Sequence, residues 1–332
     1  MFGEGFPPQS PQPPHGRPPA QNPFPPGGQY APQGGQYASQ GNQYPPQAGQ
    51  YAPGQYRPAW GATSTVRIVH VFPHLLGTYG DAGNAIVLRQ RLAERGMRCE
   101  LTAVHPGEPV PDSGDIYVIG GGEDAKQTAA AEELIASGTL VQAARRGAVV
   151  LGICAGFQLL GRTFLGVGGR PAQGLGLLDV RTDRLERRAV GNVLAESNGQ
   201  DRLPDLIGFE NHGGATLLGP AARPLGIVSV GIGNGDGQGT EGAVQGNVYG
   251  TYLHGPVLAA NPALADHLIG LVTGPLPPLD DSLCERMRRY RREVVLPQAQ
   301  RASRRRGLMA GLRGRDDRPS GAAANLGTTA GR

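Results

Sequence analysis

Regular patterns of hydrophobic and polar positions are confined to the middle of the chain. Thr65–Phe72 alternates and is rich in β-branched residues, which predicts a strand. Ala85–Arg95 repeats its apolar positions with the helical period and is followed by Gly96, which predicts a helix and its end. Four more elements follow in the order strand, strand, helix, strand: Met97–Val104, Asp115–Ile119, Ala125–Arg146 and Ala148–Ile153.

This order of elements predicts an α/β fold built on a mostly parallel sheet with helices on both faces. The strand at 148–153 is nearly all apolar, as is typical of a strand buried on both faces. In such sheets, ligands bind beyond the carboxyl ends of the strands. Gly120–Gly122 and Cys154 directly follow predicted strands, so both are candidates for a functional site.

The two ends of the chain differ from its middle in composition. Residues 1–64 consist largely of Pro, Gly, Gln and Tyr, and such a segment cannot offset its ordering entropy. Gln-Tyr pairs recur there, so the segment is either a solvated tail or a weakly self-associating tether. We therefore predict a disordered tail at 1–64, one domain at 65–275, and an Arg-rich extension at 276–332 that is helical at first and then disordered.

Charge is distributed unevenly along the 332 residues. The whole chain carries a net charge of +4, but residues 282–332 hold thirteen arginines against four acidic residues and so carry +9. The remainder is therefore acidic, with a net charge of −5. A basic tail can contact an anionic membrane surface or nucleic acid, or can simply be solvated. The sequence leaves these alternatives open, and we expect no nucleic-acid function.

The cysteines and the apolar runs indicate the compartment. Cys99, Cys154 and Cys284 show neither metal-ligand spacing nor a disulfide framework, so we expect a reduced protein without a metal or cofactor. We find no signal-peptide pattern and no apolar run approaching the ~18 residues of a membrane span. The sequence therefore predicts a cytoplasmic protein.

The stretch Gly152–Gly156 has the pattern of a nucleophile elbow with cysteine at its centre. A sharp strand-to-helix turn exposes the side chain of Cys154, and the following helix N-terminus lowers the pKa of a thiol. The N–H of Ala155 is then placed to donate to an oxyanion, with a second donor from Gly121 or Gly122. The alternative is a buried structural cysteine beside packing glycines.

Two histidines are candidates for the base that a thiol nucleophile needs. His254 lies in GTYLHGP, after the strand-like stretch Asn247–Leu253, and His212 lies in GFENHGG with Glu210 two residues before it. Each histidine follows an apolar stretch and is flanked by glycine, a context in which side chains reach clefts. The residues alone leave both alternatives open.

Several motifs, taken in order, resemble a known family. GICAGFQ followed later by a strand-end histidine is similar to the class I glutamine amidotransferases, which have a flavodoxin-like α/β domain. The stretches LLGTYGDAGNAIVLRQR, IGGGEDAKQ, GLGLLDV, GFENHGG and GTYLHGP further resemble the amidotransferase subunits of lipid II isoglutaminyl synthases. The resemblance covers about residues 66–267.

The resemblance implies roles for particular residues. It makes Cys154 the nucleophile and His254 the base, and it places the oxyanion hole at Gly121, Gly122 and Ala155. GFENHGG, with His212, then shapes the glutamine pocket or the partner interface.

The resemblance also implies a substrate-binding arginine a few residues after GLGLLDV. The alignment places it at Arg188, with Arg184 and Arg187 as alternatives. An arginine suits this role because its guanidinium pairs bidentately with a carboxylate, such as the α-carboxylate of glutamine. Gln158 is at a position to hydrogen-bond glutamine, or it only faces a helix neighbour.

The resemblance further implies a Mur-ligase-like synthetase partner in a heterodimer. That partner would use the ammonia to amidate the α-carboxyl of D-glutamate in the lipid II stem peptide. Lys126 is the only lysine and no Walker A motif is present, so we expect the ATP-dependent half on the partner. The chain would then reach the inner face of the membrane through its lipid-linked substrate. The alternatives are amidation in another pathway, such as corrinoid synthesis, and a non-catalytic binding protein.

One position departs from the family pattern. Class I members carry a glutamate two residues after the histidine to orient the imidazole, and here that position is Pro256. We therefore expect a dyad in this chain, with the orienting carboxylate supplied by the partner and with glutaminase activity that rises when the complex forms.

Overall fold

The computed structural model describes residues 64–294, except residues 198, 200 and 202. Nearly all of the predicted N-terminal tail, and the part of the Arg-rich extension beyond residue 294, lie outside the described residues. The strands are β1 (Thr65–Val71), β2 (Arg98–Val104), β3 (Ile116–Ile119), β4 (Val149–Ile153), β5 (Thr163–Leu165), β6 (Pro171–Gln173), β7 (Val180–Ser197), β8 (Leu206–Leu218), β9 (Gly226–Val230), β10 (Thr240–Glu241), β11 (Ala243–Gln245) and β12 (Val248–Thr251).

The α-helices lie between the strands and after the last one. They are α1 (Ala82–Glu94), α2 (Asp124–Ser137), α3 (Thr139–Arg145), α4 (Ala155–Leu160), α5 (Val257–Ala260) and α6 (Pro262–Thr273). Residues 282–294 are also helical. None of the helices in the described part of the chain has the length and apolar character needed to cross a bilayer.

The first sheet confirms the predicted α/β fold. Its order is β11-β12-β4-β3-β1-β2, and all neighbours are parallel except the edge strand β11. The β1–α1–β2 and β3–α2–α3–β4 connections run in opposite directions across the sheet. Because such crossovers are right-handed, α1 and α2 lie on opposite faces. The carboxyl ends of four parallel strands, β1, β3, β4 and β12, therefore meet at one edge.

A second, mainly antiparallel sheet was not predicted. It has the order β10-β9-β7-β5-β6, with β8 paired to β7. The long strand β7 could not be predicted from the pattern of hydrophobic positions, because many of its residues are exposed and charged. Its pairing with β8 shifts register between Arg184 and Ala189, which leaves four residues of β7 and one of β8 out of the ladder.

The single long helix predicted at Ala125–Arg146 is wrong. Gly138 has φ +64°, a left-handed conformation, and it divides the segment into α2 and α3. Glycine adopts this conformation at no steric cost and commonly ends helices in this way. The apolar spacing continues through the break, so periodicity alone did not reveal it.

Buried arginines attach the C-terminal helical segment to the domain. Arg288 is almost fully buried and donates hydrogen bonds to the backbone carbonyls of Asp205 and Ala260 and to the side chain of Asn261. Arg91 of α1 pairs bidentately with carboxylates on α6 and on the segment that follows it, Asp266 and Asp281. The segment from Asp281 to Arg288 therefore packs on the domain.

Gly250 allows α4 to pack closely on the first sheet, and its replacement tests that packing. A Cβ at Gly250 would lie 1.9 Å from Cδ2 of Phe157. We expect Gly250→Ala to lower the free energy of unfolding by about 1–3 kcal/mol through overpacking, measured by urea denaturation. Gly270→Ala is the matched control, because a Cβ there meets open space on α6. Equal unfolding midpoints for the two variants would contradict this account.

Candidate active site

The predicted elbow is present at the carboxyl end of β4. Cys154 has φ +53° and ψ −103°, a strained conformation for a residue with a side chain, and α4 begins at the next residue. Gly156 makes the turn possible, since a Cβ there would lie 2.4 Å from the carbonyl oxygen of Ile119. Strain of this kind is characteristic of nucleophile elbows and places Cys154 in the wall of a cleft.

His254 follows β12 and lies beside the elbow. Its backbone exchanges two hydrogen bonds with Phe209 of β8, so the second sheet helps to fix the turn that carries it. Its Nδ1 lies 3.0 and 3.1 Å from the two carboxylate oxygens of Asp81, which is fully buried. Its Nε2 is buried and has no hydrogen-bond partner among the described residues, so it is available to Cys154.

Asp81 corrects the expectation of a dyad completed by a partner chain. The imidazole Nδ1 makes one hydrogen bond, and a carboxylate of the same chain already takes it. Pro256, at the position of the family glutamate, instead packs on Gly83, where a Cβ would lie 2.3 Å from its Cγ. Orientation of His254 by a partner is therefore no longer a reason to expect glutaminase activity to rise when the complex forms.

The sequence did contain a signal for Asp81. It lies in GTYGDAGN, in the connection from β1 to α1, and the carboxyl ends of β1, β3, β4 and β12 meet at one edge. Because Asp81 and His254 are 173 residues apart, motif spacing could not connect them.

The pKa of His254 is set by opposing effects. Burial alone lowers it, but the hydrogen bond and charge of Asp81, together with the neighbouring Cys154, outweigh burial and raise the pKa to about 9. At neutral pH the imidazole is therefore protonated beside the Cys154 sulfur. A cysteine and a protonated histidine together supply a nucleophile and a proton donor at the same place.

The predicted oxyanion donors differ in their availability. The N–H of Gly121 donates to Asp81 Oδ2 at 2.8 Å, so it faces the carboxylate and is not the free donor that was predicted. The N–H groups of Gly122 and Ala155 have no acceptor within the described part of the chain, and both residues line the cleft. The N–H of Gly156 is taken by the carbonyl of Gly120.

Arg188 lies in the cleft wall at the end of the register shift in β7. Its Nε donates to Oδ1 of Asn211 at 2.6 Å, and Asn211 in turn donates to the hydroxyl of Tyr79. Tyr79 packs its ring edge-on against His254, with centroids 4.9 Å apart. Arg184 also lines the cleft, whereas Arg187 does not.

Gln158 lies in the cleft wall with its amide already bonded. Its Nε2 donates to the hydroxyl of Tyr252 at 3.0 Å, and its Oε1 accepts from Gln127 at 3.1 Å. The hydroxyl of Tyr252 also bonds Thr216, which extends the network beneath the pocket. These contacts support a role for Gln158 in holding the pocket wall.

His212 lines the same cleft but has different partners from His254. Its ring stacks on Tyr252 with centroids 3.6 Å apart, and its Nδ1 bonds the carbonyl of Gly214 at 2.9 Å. Glu210 lies 3.7 Å from its Nε2 and accepts two backbone N–H groups. Of the two histidines, His254 is the one that hydrogen-bonds a carboxylate and lies beside Cys154.

The cleft that joins these residues has a volume of about 680 Å³ and is open to solvent. Its wall carries arginines and carboxylates together with the elbow and His254. Across residues 64–294, where described, no group of three or more His, Cys, Asp or Glu side chains could hold a metal ion.

A cysteine at a strand-to-helix elbow, with a histidine and an aspartate at the same edge of a parallel sheet, is the arrangement of α/β enzymes with a thiol nucleophile. Within that class, the chain belongs to the CobB/CobQ-like glutamine amidotransferase domain family, which matches residues 67–262. The predicted enzyme class is thereby confirmed.

Three curated relatives show which members of the family the chain is similar to. The chain is 38% identical over 204 residues to the GatD subunit of the glutamine-hydrolysing lipid II isoglutaminyl synthase of Staphylococcus aureus strain N315, covering 61% of this chain and 82% of the relative. It is 34% identical over 207 residues to GatD of Streptococcus pneumoniae strain R6, covering 61% and 79%. Cobyric acid synthase of Sphingopyxis alaskensis is 37% identical over 181 residues, covering 52% of this chain but 35% of that enzyme.

The Asp81–His254 contact predicts a change in the pH dependence of glutamine hydrolysis. Asp81 raises the pKa of His254, so Asp81→Asn should lower that pKa and move the alkaline limb of the kcat profile to lower pH. We also expect kcat to fall on the order of 10²–10⁴-fold, as when the carboxylate of a related triad is replaced by an amide.

Asp112→Asn is the matched control for this experiment, because the Asp112 side chain is 72% exposed and pairs with Arg146. The Asp112→Asn variant should have the alkaline limb of its kcat profile at the same pH as the unchanged protein. An Asp81→Asn enzyme with an unshifted limb would show that Asp81 does not act on His254.

Proposed function

We propose that this chain is the glutaminase subunit of a lipid II isoglutaminyl synthase. It hydrolyses L-glutamine through a thioester at Cys154 and passes ammonia to a Mur-ligase-like partner. The partner then amidates the α-carboxyl of D-glutamate in the lipid II stem peptide. The observation that carries the glutaminase assignment is the Cys154–His254–Asp81 arrangement, and similarity over most of the length of two GatD subunits supports the pathway.

In the first step, the Cys154 thiolate attacks the side-chain carbonyl carbon of glutamine. The developing oxyanion accepts hydrogen bonds from the N–H groups of Gly122 and Ala155, which is the main electrostatic stabilisation available here. The C–N bond then breaks, and the imidazolium of His254 donates its Nε2 proton to the departing nitrogen. Ammonia leaves, and a γ-glutamyl thioester remains on Cys154.

In the second step, neutral His254 takes a proton from water as the water oxygen attacks the thioester. The C–S bond breaks, glutamate is released and the thiolate–imidazolium pair is restored. Asp81 holds the imidazole in one orientation throughout. The net reaction converts glutamine and water into glutamate and ammonia.

Substitution of the cysteine tests the mechanism and the pathway together. In the complex with the Mur-ligase-like partner, we expect Cys154→Ala to abolish glutamate release and glutamine-dependent amidation of lipid II. Added ammonium salt should restore amidation, because the partner then no longer depends on Cys154. Glutamate release by Cys154→Ala at the unchanged rate would contradict the thioester. Lack of amidation by the unchanged complex would contradict the lipid II assignment.

Arg188 is proposed to bind the α-carboxylate of glutamine. Losing a charge-assisted hydrogen bond costs about 1.5–3 kcal/mol, so Arg188→Gln should raise KM for glutamine about 10- to 100-fold with a smaller change in kcat. Arg187→Gln is the control, since this neighbour is exposed and lies outside the cleft wall. Equal KM values in steady-state assays of the two variants would reject Arg188 as the binding residue.

A further inference from the structure

We propose that Asn84 is a positioning residue that holds Asp81 against His254 by joining the turn before α1 to the segment after His254. The inference rests on the proposed function, because it assigns Asn84 a part in the same reaction. Asn84 does not line the cleft, and its side chain hydrogen-bonds Asp81 and Leu258, so its effect passes through Asp81.

The side chain of Asn84 connects two segments that are distant in the sequence. Its Nδ2 donates to the carbonyl of Asp81 at 3.0 Å, and its Oδ1 accepts the N–H of Leu258 at 2.9 Å. Leu258 lies in α5, four residues after His254. One fully buried amide therefore spans from the residue that orients the imidazole to the helix that follows the imidazole.

A steric contact beside Asn84 reinforces the same connection. Pro256 lies against Gly83, where no side chain would fit. It also precedes the first residue of α5, and its ring restricts the backbone there. The two turns are thus joined by a hydrogen-bonded amide and by direct packing, which leaves Asp81 little freedom to move away from His254.

Buried hydrogen bonding makes this connection strong. A buried amide is costly unless its donors and acceptors are satisfied, and Asn84 meets this requirement only while both turns stay in place. Replacing it by alanine leaves the Leu258 N–H without its acceptor and removes one of two donors to the Asp81 carbonyl. Misplacement of a catalytic geometry by about 1 Å can cost on the order of 10²-fold in rate.

The experiment compares Asn84→Ala with Asn234→Ala in the full chain with its partner. Asn234 is equally buried, and its amide bonds Thr240 and Gly242, so it controls for the loss of a satisfied amide. We expect Asn84→Ala to lower kcat for glutamine hydrolysis about 10- to 100-fold with KM changed less than about twofold. Asn234→Ala should lower the melting temperature without this loss of kcat.

The pH profile separates positioning from general destabilisation. The titratable groups that face His254 are Asp81, Cys154 and Tyr79. If Asn84 acts through Asp81, then Asn84→Ala moves the alkaline limb to lower pH, in the same direction as Asp81→Asn. The double variant should be no slower than Asp81→Asn alone, because the two residues act as one unit.

Three results would overturn the inference: an unchanged kcat, an unmoved alkaline limb, or multiplied losses in the double variant. If Asn84→Ala does not fold, Asn84→Ser carries the same test, since its hydroxyl keeps a polar group at this buried position. Failure of the proposed function would look different, because the unchanged complex would then not hydrolyse glutamine. A normal Asp81→Asn effect with a wild-type-like Asn84→Ala rejects only this inference.

Discussion

The ion pair between Asp81 and His254 is the interaction on which the site depends. A fully buried carboxylate must find hydrogen-bond donors, and Asp81 has the imidazole on one side and the N–H of Gly121 on the other. The same carboxylate therefore keeps His254 protonated and fixes the glycine loop beside Cys154. Charge, orientation and backbone conformation at the site are all consequences of one buried side chain.

The topology of the first sheet brings the groups together. The turns after β1, β3, β4 and β12 each contribute one of them, namely Asp81, Gly121, Cys154 and His254. A Cβ at Gly121 would lie within 3.3 Å of atoms of the other three residues, so this position has room only for glycine. The second sheet adds a wall that carries Arg188 and His212, and it holds the His254 backbone through Phe209.

The features that could be predicted from the sequence are those that a short stretch determines. An apolar strand followed by Gly-Ile-Cys-Ala-Gly predicts the elbow, because the turn and the nucleophile are neighbours in the chain. Asp81 could not be assigned in this way, since its role depends on which strands are adjacent. The second sheet was missed because β7 has an exposed, charged face, and the break at Gly138 because apolar spacing continued across it.

The distance in sequence between Asp81 and His254 has a consequence for the synthesis of the protein. Asp81 follows the first strand of the domain and His254 follows the last. A chain released or stalled before β12 carries Cys154 but lacks both His254 and the strand that pairs with β4. An incomplete translation product therefore cannot assemble the proposed Cys154–His254–Asp81 site, which forms only when the whole domain has been made and its sheet is complete.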